Sequence, residues 1–162
     1  MRPRAMELLK DLEPGDAVGI IAIAERLLLP AGSVLFKLGA EADCVYAIEN
    51  GRISLSLPMQ VGGREQEVLV EERTAGETVG WSALVPPHRF TLTAMTLIDS
   101  EVLAFPRAAL LKHFGADPAV GLLVTRNVAS VMGQRLQVLQ AMWLREIQRV
   151  VQMTLASQSA AL

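Results

Sequence analysis

Residues 76–94 read Gly-Glu-Thr-Val-Gly-Trp-Ser-Ala-Leu-Val-Pro-Pro-His-Arg-Phe-Thr-Leu-Thr-Ala. Ala75-Gly76-Glu77 is a turn signal, and Gly80 opens a second, short turn through Ser82, Ala83 and Leu84. Pro86-Pro87 stiffens the loop that follows, His88-Arg89 is the basic pair in this stretch, and Thr91–Thr96 alternates in the manner of a half-buried strand. Gly-Glu-Thr-Val-Gly alone is weak evidence for a phosphate cradle. Its weight comes from the segments on either side.

Working outward, residues 26–105 carry a series of short apolar runs divided by turn residues. Leu27-Leu28-Leu29 stops at Pro30-Ala31-Gly32, and Ser33–Phe36 stops before Gly39. Cys44–Ile48 runs into Asn50-Gly51, a dipeptide that predicts a tight hairpin returning through Ile53–Leu57. Gly62-Gly63 predicts a second turn before Glu67–Val70, and Glu101–Phe105 closes the series. Glu71, Glu72 and Arg73 read as a solvated strand end. Turn signals every ~8–12 residues predict an antiparallel double-layered roll. Residues 1–25 predict short helix, turn and helix, with Asp16 as a cap after Glu13-Pro14-Gly15. Residues 106–162 predict a short helix over Ala108–Phe114, ended by Gly115, and then a long helix capped by Asp117 with Pro118 at its first position. The expected class is mainly β with flanking helices: a jelly-roll β-roll at 26–105, helical segments at 1–25 and a dimerisation helix within 106–162.

The long helix is predicted from Asp117 to about Gln152, or about 54 Å at 1.5 Å per residue. A globule of this size has a radius of gyration of about 15 Å. Its distal half still carries an apolar seam, so Met132, Leu136, Leu139, Trp143, Ile147 and Val150 are expected to form a twofold dimer interface. Folding back onto the β zone is the alternative.

With these segments in place, the chain resembles the cyclic-nucleotide-binding domain of the catabolite-activator (Crp/Fnr-like) superfamily over roughly residues 7–150. The carriers are Pro30–Phe36, Tyr46-Ala47-Ile48, Asn50–Ile53, and the Gly80-x-x-Ala83-Leu84 turn followed by a basic residue. The resemblance implies a phosphate-binding cassette in which turn amides and an arginine hold a cyclic phosphate, and a glutamate after the second glycine takes the ribose hydroxyl. Carried over, Gly80, Ser82, Ala83 and Leu84 keep the turn. The glutamate position holds Trp81, whose indole cannot accept a hydrogen bond. The basic position falls on His88 or Arg89, depending on the direction of counting. In the helix, the two slots that contact the base hold Leu139 and Gln140, of which only Gln140 can hydrogen-bond. Either these residues bind a small anion such as a cyclic nucleotide, or Trp81 fills the pocket, Ser82 caps the turn and Arg89 is a surface charge.

Composition narrows the classes. The chain has 162 residues, 51% hydrophobic and 20% charged, with net charge −2. That excludes a disordered chain and gives no basic excess for nucleic acid. Cys44 is the only cysteine and there are two histidines, so no metal site is expected; Cys44 reads as an inert core thiol. No apolar signal segment follows Met1, no stretch reaches a membrane span, and Thr154–Leu162 carries no helix-turn-helix. The expectation is a cytoplasmic, non-enzymatic sensory module with no catalytic residues and no cofactor beyond its ligand. It would form a homodimer, bind neither membrane nor DNA directly, and couple the ligand to the C-terminal helix for an unknown protein partner. The alternatives are a ligand-free dimeric interaction module, or the sensor half of a transcription regulator.

Overall fold

The computed structural model describes residues 5–161. Met1–Arg4, within the predicted helical segment 1–25, and Leu162, within 106–162, lie outside the described residues. The chain comprises two compact units, 1–128 and 129–162.

The first unit opens with a 3-10 turn at Glu7–Leu9 and a helix α1 at Pro14–Ile21. Pro14 takes the first turn and Glu13 the N-cap place, so Asp16 lies inside the first turn instead of capping it. Eight strands follow: β1 Glu25–Leu29, β2 Val34–Phe36, β3 Cys44–Asn50, β4 Arg52–Val61, β5 Arg64–Thr74, β6 Thr78–Val79, β7 Thr93–Thr96 and β8 Ser100–Pro106. They form two four-stranded antiparallel sheets, ordered β1-β8-β3-β6 and β2-β7-β4-β5. This is the predicted β-roll with flanking helices. The apolar faces of the strands, led by Val45, Ile48, Ile53, Leu55, Val102 and Phe105, are fully buried, and so are Leu8, Ile20, Leu110 and Val124 from the flanking helices and turn.

Two turns show how local and tertiary demands differ. Gly62-Gly63 joins β4 to β5 as a two-residue hairpin, with Val61 opposite Arg64 and both glycines at positive φ, 58° and 76°. Asn50-Gly51 is also a tight turn, but not the predicted hairpin. β3 pairs β8 and β6, whereas β4 pairs β5 and β7, so the chain changes sheet at Gly51. Gly51 sits at φ 111°, and a Cβ there would lie 2.7 Å from the Ser100 Cα. Gly51→Ala is therefore expected to destabilise the fold by about 3 kcal/mol, from backbone strain and the clash with Ser100. A urea midpoint unchanged from the parent would overturn this.

Two helices complete the chain. α2 spans Arg107–Ala116 and runs through Gly115, where a stop was predicted; the break comes at Asp117 (φ −134°), one residue before the next helix. α3 spans Pro118–Ala160, 43 residues, with the Val120 amide donating to Asp117 Oδ1 at 3.2 Å as the predicted cap. It passes the predicted end at Gln152. Thr154 and Ser157 donate their hydroxyls back to the Val150 and Met153 carbonyls at 3.0 and 2.9 Å, which satisfies them inside the helix.

Candidate functional site

β6 pairs with β3 through Tyr46↔Val79 and Ala47↔Thr78 and delivers the chain to Gly80. Gly80 has φ 79°. A Cβ there would lie 3.1 Å from Tyr46 Cδ2, 3.2 Å from the Cys44 carbonyl oxygen and 3.2 Å from Phe90 Cε1. The wall behind it is aromatic: Phe36 stacks on Phe90 with centroids 3.8 Å apart and on Tyr46 at 5.8 Å. Glycine is required here twice, by conformation and by space. A 3-10 turn, Trp81–Leu84, follows at once, with the Ala83 amide donating to the Gly80 carbonyl at 3.1 Å. The Trp81 and Ser82 amides precede that first bond, so they are the orphan donors of the turn. Such donors suit an anionic oxygen.

Ser82 and Ala83 are buried; Trp81 and Leu84 are half-buried. The N-cap place of the turn belongs to Gly80, and Ser82, predicted as the cap, lies inside the turn. Trp81 is neither a fully buried plug nor a fully open side chain. The basic pair divides its contacts. His88, at φ 57° after the cis Pro86-Pro87 bond, places Nδ1 3.3 Å from the Ser82 carbonyl oxygen. Arg89 is exposed and donates from Nη1 to the Gly39 carbonyl at 2.9 Å. Of the two, His88 is the side chain turned to the cassette turn.

The preceding turn, around Gly76, rests on ion pairs and hydrogen bonds that the sequence reading missed. Arg73 is only 5% exposed, which corrects the reading of a solvated strand end. Its Nη2 lies 2.6 Å from Glu71 and its Nη1 3.1 Å from Glu77. Glu77 also accepts the Thr74 amide at 2.6 Å, closing the turn around Gly76. The reason is a bulge. In β5, Leu69 pairs Ser56 and Glu71 pairs Leu55, so Val70 is skipped. The skip sets Glu71 and Arg73 opposite Leu55 and Ile53, where an unbroken ladder from Leu57↔Val68 would have placed Val70 and Glu72. The N-terminal segment grips the same turn. The Glu7 amide donates to the Gly76 carbonyl at 2.8 Å, and the Thr78 amide donates to Glu7 Oε2 at 2.9 Å. Buried Asn127 of α3 then donates to the Leu8 and Lys10 carbonyls at 3.0 and 2.8 Å. A polar Asn127 set between Val124 and Val131 on the apolar face of the helix was the available signal.

The remaining sites are in the second unit. Gln140 is exposed on α3 there. Of the expected interface residues, Met132 is half-buried, while Leu136, Leu139, Trp143, Ile147 and Val150 are all exposed. Cys44 is half-buried, and burial first, then the Asp43 carboxylate, push its thiol pKa up, away from a reactive thiolate. Among the described residues, no cluster of metal-ligating side chains occurs and no helix is long and apolar enough to cross a membrane.

Comparison with known proteins places this geometry. A lysophospholipase, NTE1 of Chaetomium globosum, is 27% identical over 124 residues, which is 76% of this chain but 8% of that protein. The chain thus spans under a tenth of the curated relatives it matches. The catabolite activator protein of Thermus thermophilus superposes with a TM-score of 0.69 at 24% identity, covering 88% of this chain and 63% of that one. A Geobacter metallireducens protein described as cyclic nucleotide-binding superposes at 0.68, also at 24% identity, covering 84% and 98%. The profile of the cyclic nucleotide-binding domain matches residues 26–117, which hold all eight strands but the first residue of β1, together with the cassette turn and α2. On that match and this fold, the chain belongs to the cyclic nucleotide-binding domain family.

Proposed function

We propose that this chain is a non-enzymatic regulatory module whose Gly80–Leu84 turn takes a small anionic ligand and whose response is carried to α3. The observation that carries this reading is the retained left-handed Gly80 with two orphan amides after it, next to a ribose position occupied by Trp81. The phosphate side of a cyclic nucleotide therefore keeps its donors. The ribose side has lost its acceptor. His88 supplies the basic group at the turn.

Coupling has a physical route within the first unit. A ligand that tightens the turn acts on Thr78 and Gly76, which bond Glu7, and the segment after Glu7 is bonded to Asn127 of α3. Ligand must favour one state of that chain of bonds over another to shift it. The second reading, a ligand-free interaction module, is favoured by Arg89, whose guanidinium is engaged by Gly39. Calorimetric titration with cyclic AMP and cyclic GMP separates the two: saturable heat supports the first, and none with either nucleotide, or with inorganic phosphate, supports the second.

Self-association through α3 belongs to the same proposal. Trp143 is 64% exposed on a helix whose apolar residues recur at three and four. Trp143→Glu is expected to yield monomer in sedimentation, with helicity lost beyond about residue 140. An unchanged assembly in that variant, or a monomeric parent at high micromolar concentration, would remove the seam.

A further inference from the structure

We propose that His88 makes ligand binding at the cassette turn proton-linked: the site holds its anion through the imidazolium and releases it as that ring loses its proton. This rests on the reading that the turn takes a small anion. It goes further in naming what regulates it.

The Ser82 carbonyl fixes the tautomer of this ring. A carbonyl oxygen only accepts, and His88 Nδ1 lies 3.3 Å from it, so the bond needs a proton on Nδ1. The neutral ring carries its single proton there, which leaves Nε2 with a lone pair. Nε2 has no protein partner among the described residues, on a side chain that is only half-buried. Toward an anionic oxygen the neutral ring offers that lone pair, which repels. The imidazolium offers an N–H and a charge, and the same contact becomes a charge-assisted hydrogen bond. The backbone is pinned on both sides of the ring. At φ 57°, the His88 amide donates to the Val85 carbonyl at 3.0 Å, and its carbonyl accepts from the buried Ala42 amide at 2.8 Å. Protonation thus changes charge and donor at a fixed place.

The groups around the ring are few. The turn Trp81–Leu84 has no titratable side chain. Cys44 and Tyr46, on β3 behind Gly80, are both pushed up by burial, away from neutral pH. The loop before β3, which supplies Ala42, carries Lys37, Glu41 and Asp43, all exposed, and Glu41 lies 3.7 Å from Arg107 of α2. Arg89 is turned to Gly39, and an arginine keeps its charge at any pH a protein meets. Histidine is the side chain whose ordinary charge change falls between pH 5 and 8. A ligand that prefers the imidazolium must raise that ring's affinity for protons, so binding takes up a proton and tightens as pH falls.

The test is calorimetric titration of the full chain with cyclic AMP and with sulfate across the histidine range, in buffers of different ionisation heat, with His88→Asn alongside. Neither probe changes its own charge in that range. Asparagine is among the few residues that accept positive φ, so the backbone at this position is kept. The expected result is affinity about tenfold weaker at the alkaline end than at the acid end for both probes, with net proton uptake, and a flat, weak profile in the variant. A flat profile in the parent, or the same profile in parent and variant, overturns the proton link and leaves the anion site standing. No binding of either probe at any pH overturns both. Nitrogen-15 resonances of the ring give a readout free of ligand, and the variant, which retains only His113, identifies them. The proton of neutral His88 is expected on Nδ1, and finding it on Nε2 overturns the inference.

Discussion

Arg73→Met is expected to lower the stability of the first unit by about 3 kcal/mol, the low end of what removing one member of a buried ion pair costs. The discount reflects Glu77, whose side chain is a third exposed and therefore partly screened, whereas that of Glu71 is 13% exposed. Methionine refills the volume, so the loss comes from charge left behind and not from a cavity. At roughly 2–4 °C per kcal/mol for a chain of this length, the thermal midpoint should fall by about 6–12 °C. Glu72→Gln is the control. Its neighbour in the ladder is Ser54 and its ion pair with Arg52 is long, 3.8 Å, and exposed, so it should stay within about 0.5 kcal/mol of the parent. Equal midpoints for Arg73→Met and the parent would overturn the assignment of Arg73 as the support of the Gly76–Glu77 turn.

The second large effect is on affinity. The parent is expected to bind cyclic AMP with a Kd above roughly 100 μM, worth no more than about 5–6 kcal/mol. In the proposed site the ribose hydroxyl would meet Trp81 in place of a carboxylate, and a hydrogen bond to a charged group contributes about 1.5–3 kcal/mol. Trp81→Glu should therefore tighten binding tenfold or more in calorimetry. The half-buried position of Trp81 leaves room for that exchange at the surface of the turn. Micromolar binding by the parent would overturn the prediction and mean that the indole stacks on the ligand. No gain in Trp81→Glu would mean that the Pro86–His88 loop closes the site, with His88 lodged at the Ser82 carbonyl.

Much of this was legible beforehand because it is local. Glycine at positive φ, Asp117-Pro118 at a helix start and the alternation of Thr93–Thr96 are each decided by a few neighbouring residues, and together they were enough for the roll and for the cassette turn. The dependence of the preceding Gly76–Glu77 turn on Arg73 was not legible. Period-two reading carries a strand's phase forward from its apolar residues, and a single skipped residue at Val70 inverts it without a sequence mark.

The sequence alone determined the order of strands and turns, the short turn after Gly80 and the presence of an indole at Trp81 within it, since turn chemistry and side-chain chemistry travel with the residue. Only the tertiary structure decided which sheet each strand joins, so that Asn50-Gly51 became a passage between sheets beside Ser100. It also decided that His88, and not Arg89, turns to the cassette, and that Glu7 and Asn127 tie the turn to α3. Apart from the six-residue reach of His88 to Ser82, those choices depend on contacts between residues 48 to 119 positions apart, whose partners no local rule identifies.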